Sequence, residues 1–381
     1  MTIPYHPLLW LVIAALSVGI FAVISGLGLY QTRLGVAAEE SLQLRLQLQR
    51  LRLLRSFLFL LVGILIGGGL FLWQSSQSQA SSALQVAQAK LKADYNPESI
   101  WTSPDWSLAE MDPDFEQISY GRELIINTAD YFGPSGLVLP GNSNKLNCQN
   151  CHLDAGTKAF GNNYSKVAST YPKMRGRSGK EEGIPSRING CFQRSLNGKP
   201  LAEDSKEMKA MVAYVNWLGT AVPKGDSPKG SGLVQLEFLD RPADPEKGAM
   251  LFAEKCASCH GQDGQGMPMP GSERSYPPLW GKDSYNQAAG LFRMSRFAGY
   301  VKANMPLGAS YEFPQLSDEE AWDLAAFVNS QDRPEHPFLE TDWPDISKKP
   351  YDHPFGPFAD TFPEIQHKYG PFGPIAAFYK K

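Results

Sequence analysis

Charge of one sign is the first thing this 381-residue chain lacks: 36 Lys and Arg stand against 39 Asp and Glu, a net charge of -3. No chain-wide positive field exists to hold a polyphosphate backbone, so nucleic acid is excluded as a partner class. Cysteine is scarce too, and five of them are too few for a disulfide scaffold. Histidine is limited to His6, His152, His260, His336, His353 and His367, so any metal centre must draw its ligands from a short supply. A disorder-type composition is also missing. The 29 prolines and 35 glycines imply compact domains joined by much irregular chain, and the length leaves room for two or three of them.

What the N-terminal part does have is apolar length. Residues 8–30 carry no charge, and at ~1.5 Å rise per residue they span the ~30 Å hydrocarbon core, which predicts a transmembrane helix. A second apolar run, 57–73, is shorter, with Arg55 placed to snorkel at one end and Trp73 to sit at the interface at the other. Between them Arg33, Arg45, Arg50, Arg52 and Arg55 outweigh Glu39 and Glu40, so the positive-inside rule puts loop 31–56 in the cytoplasm. A cleaved signal peptide fits less well, since no basic stretch precedes the first run. Leu42, Leu44, Leu46 and Leu48 alternate as in a strand, but so close to the second run they are read as a continuation of its helix. Small polar residues from 74 make a stalk, 74–114, on the outer side.

Cys148, Cys151 and His152 form one C-x-x-C-H, and Cys256, Cys259 and His260 form another. Each spacing presents two thiols to a haem's vinyl groups and an adjacent imidazole to its iron. Zinc would want a second Cys or His pair beside each signature, and neither has one. Here the chain resembles the c-type cytochromes. The fold class expected is mainly α, with two class I cytochrome c-like domains in tandem, 115–222 and 241–333. A linker joins them at 223–240, and an irregular wrapping tail, 334–381, follows. Pro245 to Lys255 reads as an amphipathic opening helix, and Ser317 with Glu320 as a capping box for the closing one. In the first module Tyr120 to Tyr131 and Ser205 to Leu218 take those places.

One cysteine is left over. The first module has no second histidine for its iron, so the distal ligand comes from Cys191, Met174, Met208 or Met211. Met208 and Met211 sit at core spacing on the closing helix, and Cys191 reads as part of a glycine-flanked loop. From Lys158 to Lys199 nine basic residues face only Glu181 and Glu182. Such surroundings depress a thiol pKa and draw in small anions, whereas a docking patch for an acidic partner would use the same charges.

The segment 186–201, SRINGCFQRSLNGKPL, resembles the cysteine loop of dihaem thiosulfate dehydrogenases and tetrathionate reductases. The resemblance implies two covalently bound haem c groups, with Cys191 as distal ligand of the first and as catalytic sulfur. It also implies an anion site lined by Arg177, Arg187 and Ser195, and thiosulfate or tetrathionate as substrate. The metal ligands so implied are His152 and Cys191 at the first iron, and His260 and Met305 at the second. Met305 follows a helical stretch, Ala288 to Lys302, as the ligand methionine does in class I cytochromes c. Some relatives place a lysine directly before this methionine and exchange ligands, whereas here Asn304 holds that position and Lys302 is the nearest lysine. The implied location is the bacterial inner membrane, with two spans in the bilayer and the catalytic domains in the periplasm. Electrons would pass to a cytochrome or a membrane-bound acceptor. A non-catalytic dihaem carrier between respiratory complexes is the alternative.

Overall fold

The computed structural model describes residues 16–30, 42–272 and 274–380. The chain divides into two compact units, Met1–Gln85 and Val86–Lys381.

In the first unit α1 (Leu16–Tyr30) is a short apolar helix, and the part of the expected span at residues 8–15 lies outside the described residues. The second helix, α2 (Leu42–Ala93), runs for 52 residues without interruption. It absorbs the leucine-rich stretch at 42–48, as read from the sequence, and also much of the polar segment taken as a stalk. Within it Leu46–Ser75 is long and apolar enough to cross a membrane, and none of its most apolar window is buried against protein.

The second unit is built from two similar helical modules. In the first, α3 (Phe115–Ile126) crosses α5 (Lys206–Leu218). A β-carbon on Gly121 would lie 2.0 Å from the Ala210 carbonyl oxygen, so the absence of a side chain there lets the two backbones touch. In the second, α6 (Pro245–Lys255) crosses α8 (Asp318–Ser330), and Gly248 meets the Asp323 carbonyl in the same way, also at 2.0 Å. Ser205 caps α5 through the Met208 amide, and Ser317 with Glu320 closes a reciprocal capping box on α8. Buried Leu124, Phe132, Met208, Met211 and Tyr214 fill the first core, and Phe252, Met294, Trp322 and Leu324 the second.

The first module's opening helix begins earlier than its aromatic pattern suggests, at Phe115, and a separate short turn, Thr128–Phe132, follows Asn127. In the second module the helix before Met305 is α7 (Met294–Asn304), preceded by a single 3-10 turn at Gly290–Phe292. The chief departure lies between the signature and the closing helix of the first module. There β1 (Lys173–Arg175) and β2 (Lys180–Glu182) pair antiparallel and lead into α4 (Ile184–Arg194). The segment expected as a loop around Cys191 is therefore a helix. Pro185 in the first turn starts it, and an apolar stripe of Ile184, Ile188 and Phe192 seats it on the core. Asn189 and Gly190, which look like turn residues, serve otherwise. The Asn189 amide accepts from the Leu201 N–H and donates to the Leu201 carbonyl, tying down the chain that follows the helix.

The tail is irregular, as expected, apart from short turns and the helices Glu364–Tyr369 and Phe372–Tyr379. It packs on both modules: Phe372 and Ile375 enter the second core, and Phe355 lies against the first. His336, His353 and His367 are all buried packing residues.

Candidate active site

His152 and His260 share one arrangement. Each turns its Nδ1 toward a backbone carbonyl, that of Asn162 for His152 and that of Pro277, at 3.1 Å, for His260. A carbonyl can only accept, so Nδ1 carries the proton and the Nε2 lone pair is left free, the tautomer an iron-ligating imidazole requires. Tyr164 stacks on the His152 ring at 4.4 Å. Burial pushes the free thiols of Cys148 and Cys151 up to about 12 and that of Cys256 up to about 11. Among the described residues no three His, Cys, Asp or Glu side chains are arranged to hold a bare metal ion. The donor sets fit covalently attached haem.

Cys191 is different. Helix α4 turns it toward the first signature, within hydrogen-bonding reach of His152 and within charge range of Cys148 and Cys151. Burial alone would raise its pKa. Arg187, whose Nη1 donates to the Cys191 sulfur at 3.1 Å, opposes that and holds the thiol below its ordinary value, favouring the thiolate. The thiolate in turn raises the Arg187 pKa despite its burial. The other sulfur candidates are placed elsewhere: Met208 and Met211 are core residues, and Met174 is exposed on β1.

Helical spacing sets the rest of this face. Arg187, Cys191 and Arg194 recur at i, i+4 and i+7, one stripe away from the apolar stripe, and Ser195 follows at the C-cap, half-buried. Arg177 reaches the same region from the β1–β2 turn. Its Nη1 donates to Asp342 Oδ2 at 2.9 Å and to the Ala288 carbonyl at 2.7 Å, and its guanidinium lies over the Trp343 ring. Asp342 also accepts from Arg194 Nη2 at 2.7 Å, and the Trp343 amide donates to the Arg177 carbonyl. The tail thus supplies a buried carboxylate to two arginines of the cysteine-bearing segment. Sequence reading missed both Arg194 and Asp342. Arg194 would have been found had the segment been read as helix, since i+3 from the cysteine is the same face. Nothing local marks Asp342, which lies 148 residues further along the chain.

At the second signature Met305 ends α7, half-buried and packed against the second core. Met294 is core and Met267 is exposed. Lys302 is engaged by the Leu316 carbonyl at 2.8 Å and by Asp318 at 2.6 Å. Asn304 is buried, and its side-chain amide donates to the Tyr300 and Phe160 carbonyls. The Tyr300 hydroxyl donates to the carbonyl of Asn150, inside the first signature, at 2.6 Å. The helix that presents Met305 is therefore docked on the loop that holds the first haem's histidine.

These features define a c-type cytochrome with two haem-attachment domains. Family comparison agrees: the cytochrome c family matches residues 245–332, and the cytochrome c domain of the SoxA/TsdA family matches residues 140–223. Thiosulfate dehydrogenase of Allochromatium vinosum is 38% identical over 217 residues, which are 56% of this chain and 79% of that protein. The thiosulfate dehydrogenase of Stutzerimonas stutzeri is 39% identical over 228 residues, 59% and 70% of the two chains. That of Thiomonas intermedia is 32% identical over 274 residues, 71% and 83%. The solved structure of thiosulfate dehydrogenase TsdBA from Marichromatium purpuratum is similar at a TM-score of 0.57 and 32% identity. That match covers 63% of this chain and about half, 51%, of the TsdBA chain. The chain belongs to the thiosulfate dehydrogenase family. It is an oxidoreductase with two covalently bound haem c groups.

Proposed function

We propose that the protein couples two thiosulfates into tetrathionate, or runs the reverse reaction, at Cys191. The observation that carries this reading is the half-buried Cys191 sulfur, bonded by Arg187 and turned toward His152 on a helix face lined with guanidinium groups. Its sulfur and His152 would hold the iron of the first haem, and His260 and Met305 would hold that of the second. The haems, when bound, accept electrons one at a time and relay them to a cytochrome or a membrane-bound acceptor.

The chain's own residues do the rest. The Cys191 thiolate bonds the outer sulfur of one thiosulfate, releasing two electrons and leaving a cysteine S-thiosulfonate. The outer sulfur of a second thiosulfate then attacks the sulfane sulfur. The Cys–S bond breaks, tetrathionate leaves, and the thiolate returns. Two dianions repel each other in a partly desolvated pocket, so fixed cations are needed to bring them together. Planar guanidinium groups suit sulfonate oxygens because they donate paired hydrogen bonds. Arg187 bonds the sulfur, Ser195 stands one helical turn on, and Arg177, neutralised by Asp342, backs the site. Two spans in a bacterial inner membrane, the haem domains in the periplasm and a lipid contact along α1 and α2 complete the reading, which rests on apolar length and arginine placement.

Mixing thiosulfate with the oxidised holoprotein tests this directly. Haem reduction with tetrathionate as product is expected, and Cys191→Gly is expected to keep both haems and lose the reaction. Full tetrathionate turnover by that variant would overturn the catalytic role, and absence of reduction in the wild type would leave a pure electron carrier.

A further inference from the structure

Two groups on the cysteine-bearing face, and a further role for the tail carboxylate behind it, are not used by this scheme. Arg194 projects from the same stripe of α4 as Cys191, yet only its Nη2 is paired, with Asp342. Its Nε is buried and has no acceptor. An N–H cut off from water and unpaired is destabilising, so this donor calls for an oxygen that the protein itself does not provide.

The second group is Gly190, in the middle of the helix, where glycine is less favourable than alanine. A β-carbon built there would find two atoms within 4 Å, Arg194 Nη1 at 3.5 Å and Arg187 Nη1 at 3.8 Å. The space that the missing side chain leaves is thus bounded by two guanidinium groups, next in sequence to the reactive sulfur. The tail carboxylate is Asp342, whose side chain is 5% exposed and which fixes the end of Arg194. A carboxylate on the far side of the guanidinium orients it without filling the space over Gly190.

Resting on the thiosulfate reading above, we propose that Arg187 and Arg194 converge over Gly190 into a two-guanidinium cradle. The cradle takes the sulfonate of the second, attacking thiosulfate, and Asp342 is the positioning residue that holds Arg194 in it. The assignment explains why a helix core position is glycine, why a basic residue stands three positions after the cysteine, and why the tail brings a buried carboxylate to this module. Binding the sulfonate there directs the outer sulfur of the incoming thiosulfate toward the adduct on Cys191. The cradle changes no bond itself: the electrons and the leaving thiolate are those of the reaction already balanced.

Gly190→Ala is the cleanest test, because the new methyl makes only ordinary contacts with protein and alanine favours the helix. In the purified holoprotein, KM for thiosulfate is expected to rise about tenfold with kcat within about twofold of wild type, the pattern of lost ground-state binding. The unfolding midpoint should be unchanged or higher. Arg194→Gln should raise KM at least as much, and Arg194→Lys should recover part of it, since a point charge replaces a planar fork. Sulfate, an unreactive oxyanion, supplies the second readout: its calorimetric affinity should weaken by a similar factor in Gly190→Ala and Arg194→Gln. Wild-type KM and wild-type sulfate affinity in both variants would overturn the cradle. If the wild-type haems were not reduced by thiosulfate, the thiosulfate reading would fall, and sulfate affinity lost on Gly190→Ala would still establish an anion cradle.

Discussion

The two haem modules are alike where they hold haem and unlike where they face it from the distal side. Each crosses its first and last helices at a glycine pressed against a carbonyl, Gly121 on Ala210 and Gly248 on Asp323, and each pins its histidine Nδ1 on a backbone oxygen. These shared features position a cofactor and need no further chemistry. Between signature and closing helix they part. The second module offers α7 and Met305, a neutral thioether packed against the second core. The first offers a hairpin and α4, with a thiolate, an arginine bonded to it and two more arginines tied to a buried aspartate. With the proposed ligands, methionine and histidine together would raise the second haem's potential, so the neutral module would suit electron release and the charged one anion chemistry.

The comparison can be broken most severely at the sulfur. Cys191→Gly is expected to lower kcat for tetrathionate formation by about a thousandfold or more, while removing the distal sulfur at Met305 leaves substantial thiosulfate-dependent reduction of the first haem. Initial rates and rapid-mixing spectra measure both. An effect of equal size at the two positions would mean that the modules do not divide the work.

The next largest effect concerns the tail that bridges them. Asp352 is 1% exposed, paired with Arg293 at 2.6 Å and bonded to Ser295. Burial raises its pKa, but the arginine and the hydroxyl outweigh burial and hold the carboxyl below the ordinary range. The folded pKa thus lies below the unfolded value near 4, so this contribution is present above about pH 4 and is lost as pH falls through the folded value. Asp352→Ala should cost ~3 to 5 kcal/mol at neutral pH, because it leaves a partly buried guanidinium alone, and should flatten the acid limb of the stability curve. Denaturant titration between pH 3 and 7 checks both.

Gly121→Ala and Gly248→Ala sharpen the likeness. Each places a carbon 2.0 Å from a carbonyl oxygen of the facing helix, which cannot move aside without separating the pair. Each should destabilise its module by about 3 kcal/mol in thermal or denaturant unfolding, and a large difference between them would contradict the equivalence. Smallest are the caps. Ser205→Ala should cost ~1 kcal/mol, and Ser317→Ala somewhat more, because the Glu320 side chain bonds back to the Ser317 amide.

How much of this was legible in the amino-acid order depended on whether the information was local. The haem signatures, the capping box at Ser317, the opening helix at Pro245 and the core placement of Met208 and Met211 are carried by spacing or periodicity, and the structure has them so. Helix α4 was hidden because Asn189 and Gly190 carry turn propensity in isolation. Tertiary contacts, a side-chain clamp on Leu201 and an apolar stripe on the core, override it. The carboxylate of Asp342 on Arg177 and Arg194, and the Tyr300 and Asn304 bonds to the first signature's loop, join residues more than a hundred positions apart, where no periodicity can speak.

The account stands most directly on the identity of the sulfur at the first haem. Near-infrared magnetic circular dichroism of the oxidised holoprotein reads it, because thiolate-ligated and methionine-ligated low-spin haems absorb at different energies. One thiolate-type and one methionine-type band are predicted, with the thiolate-type band missing in Cys191→Gly. A wild-type spectrum with no thiolate-type band, or one that survives that substitution, would contradict it.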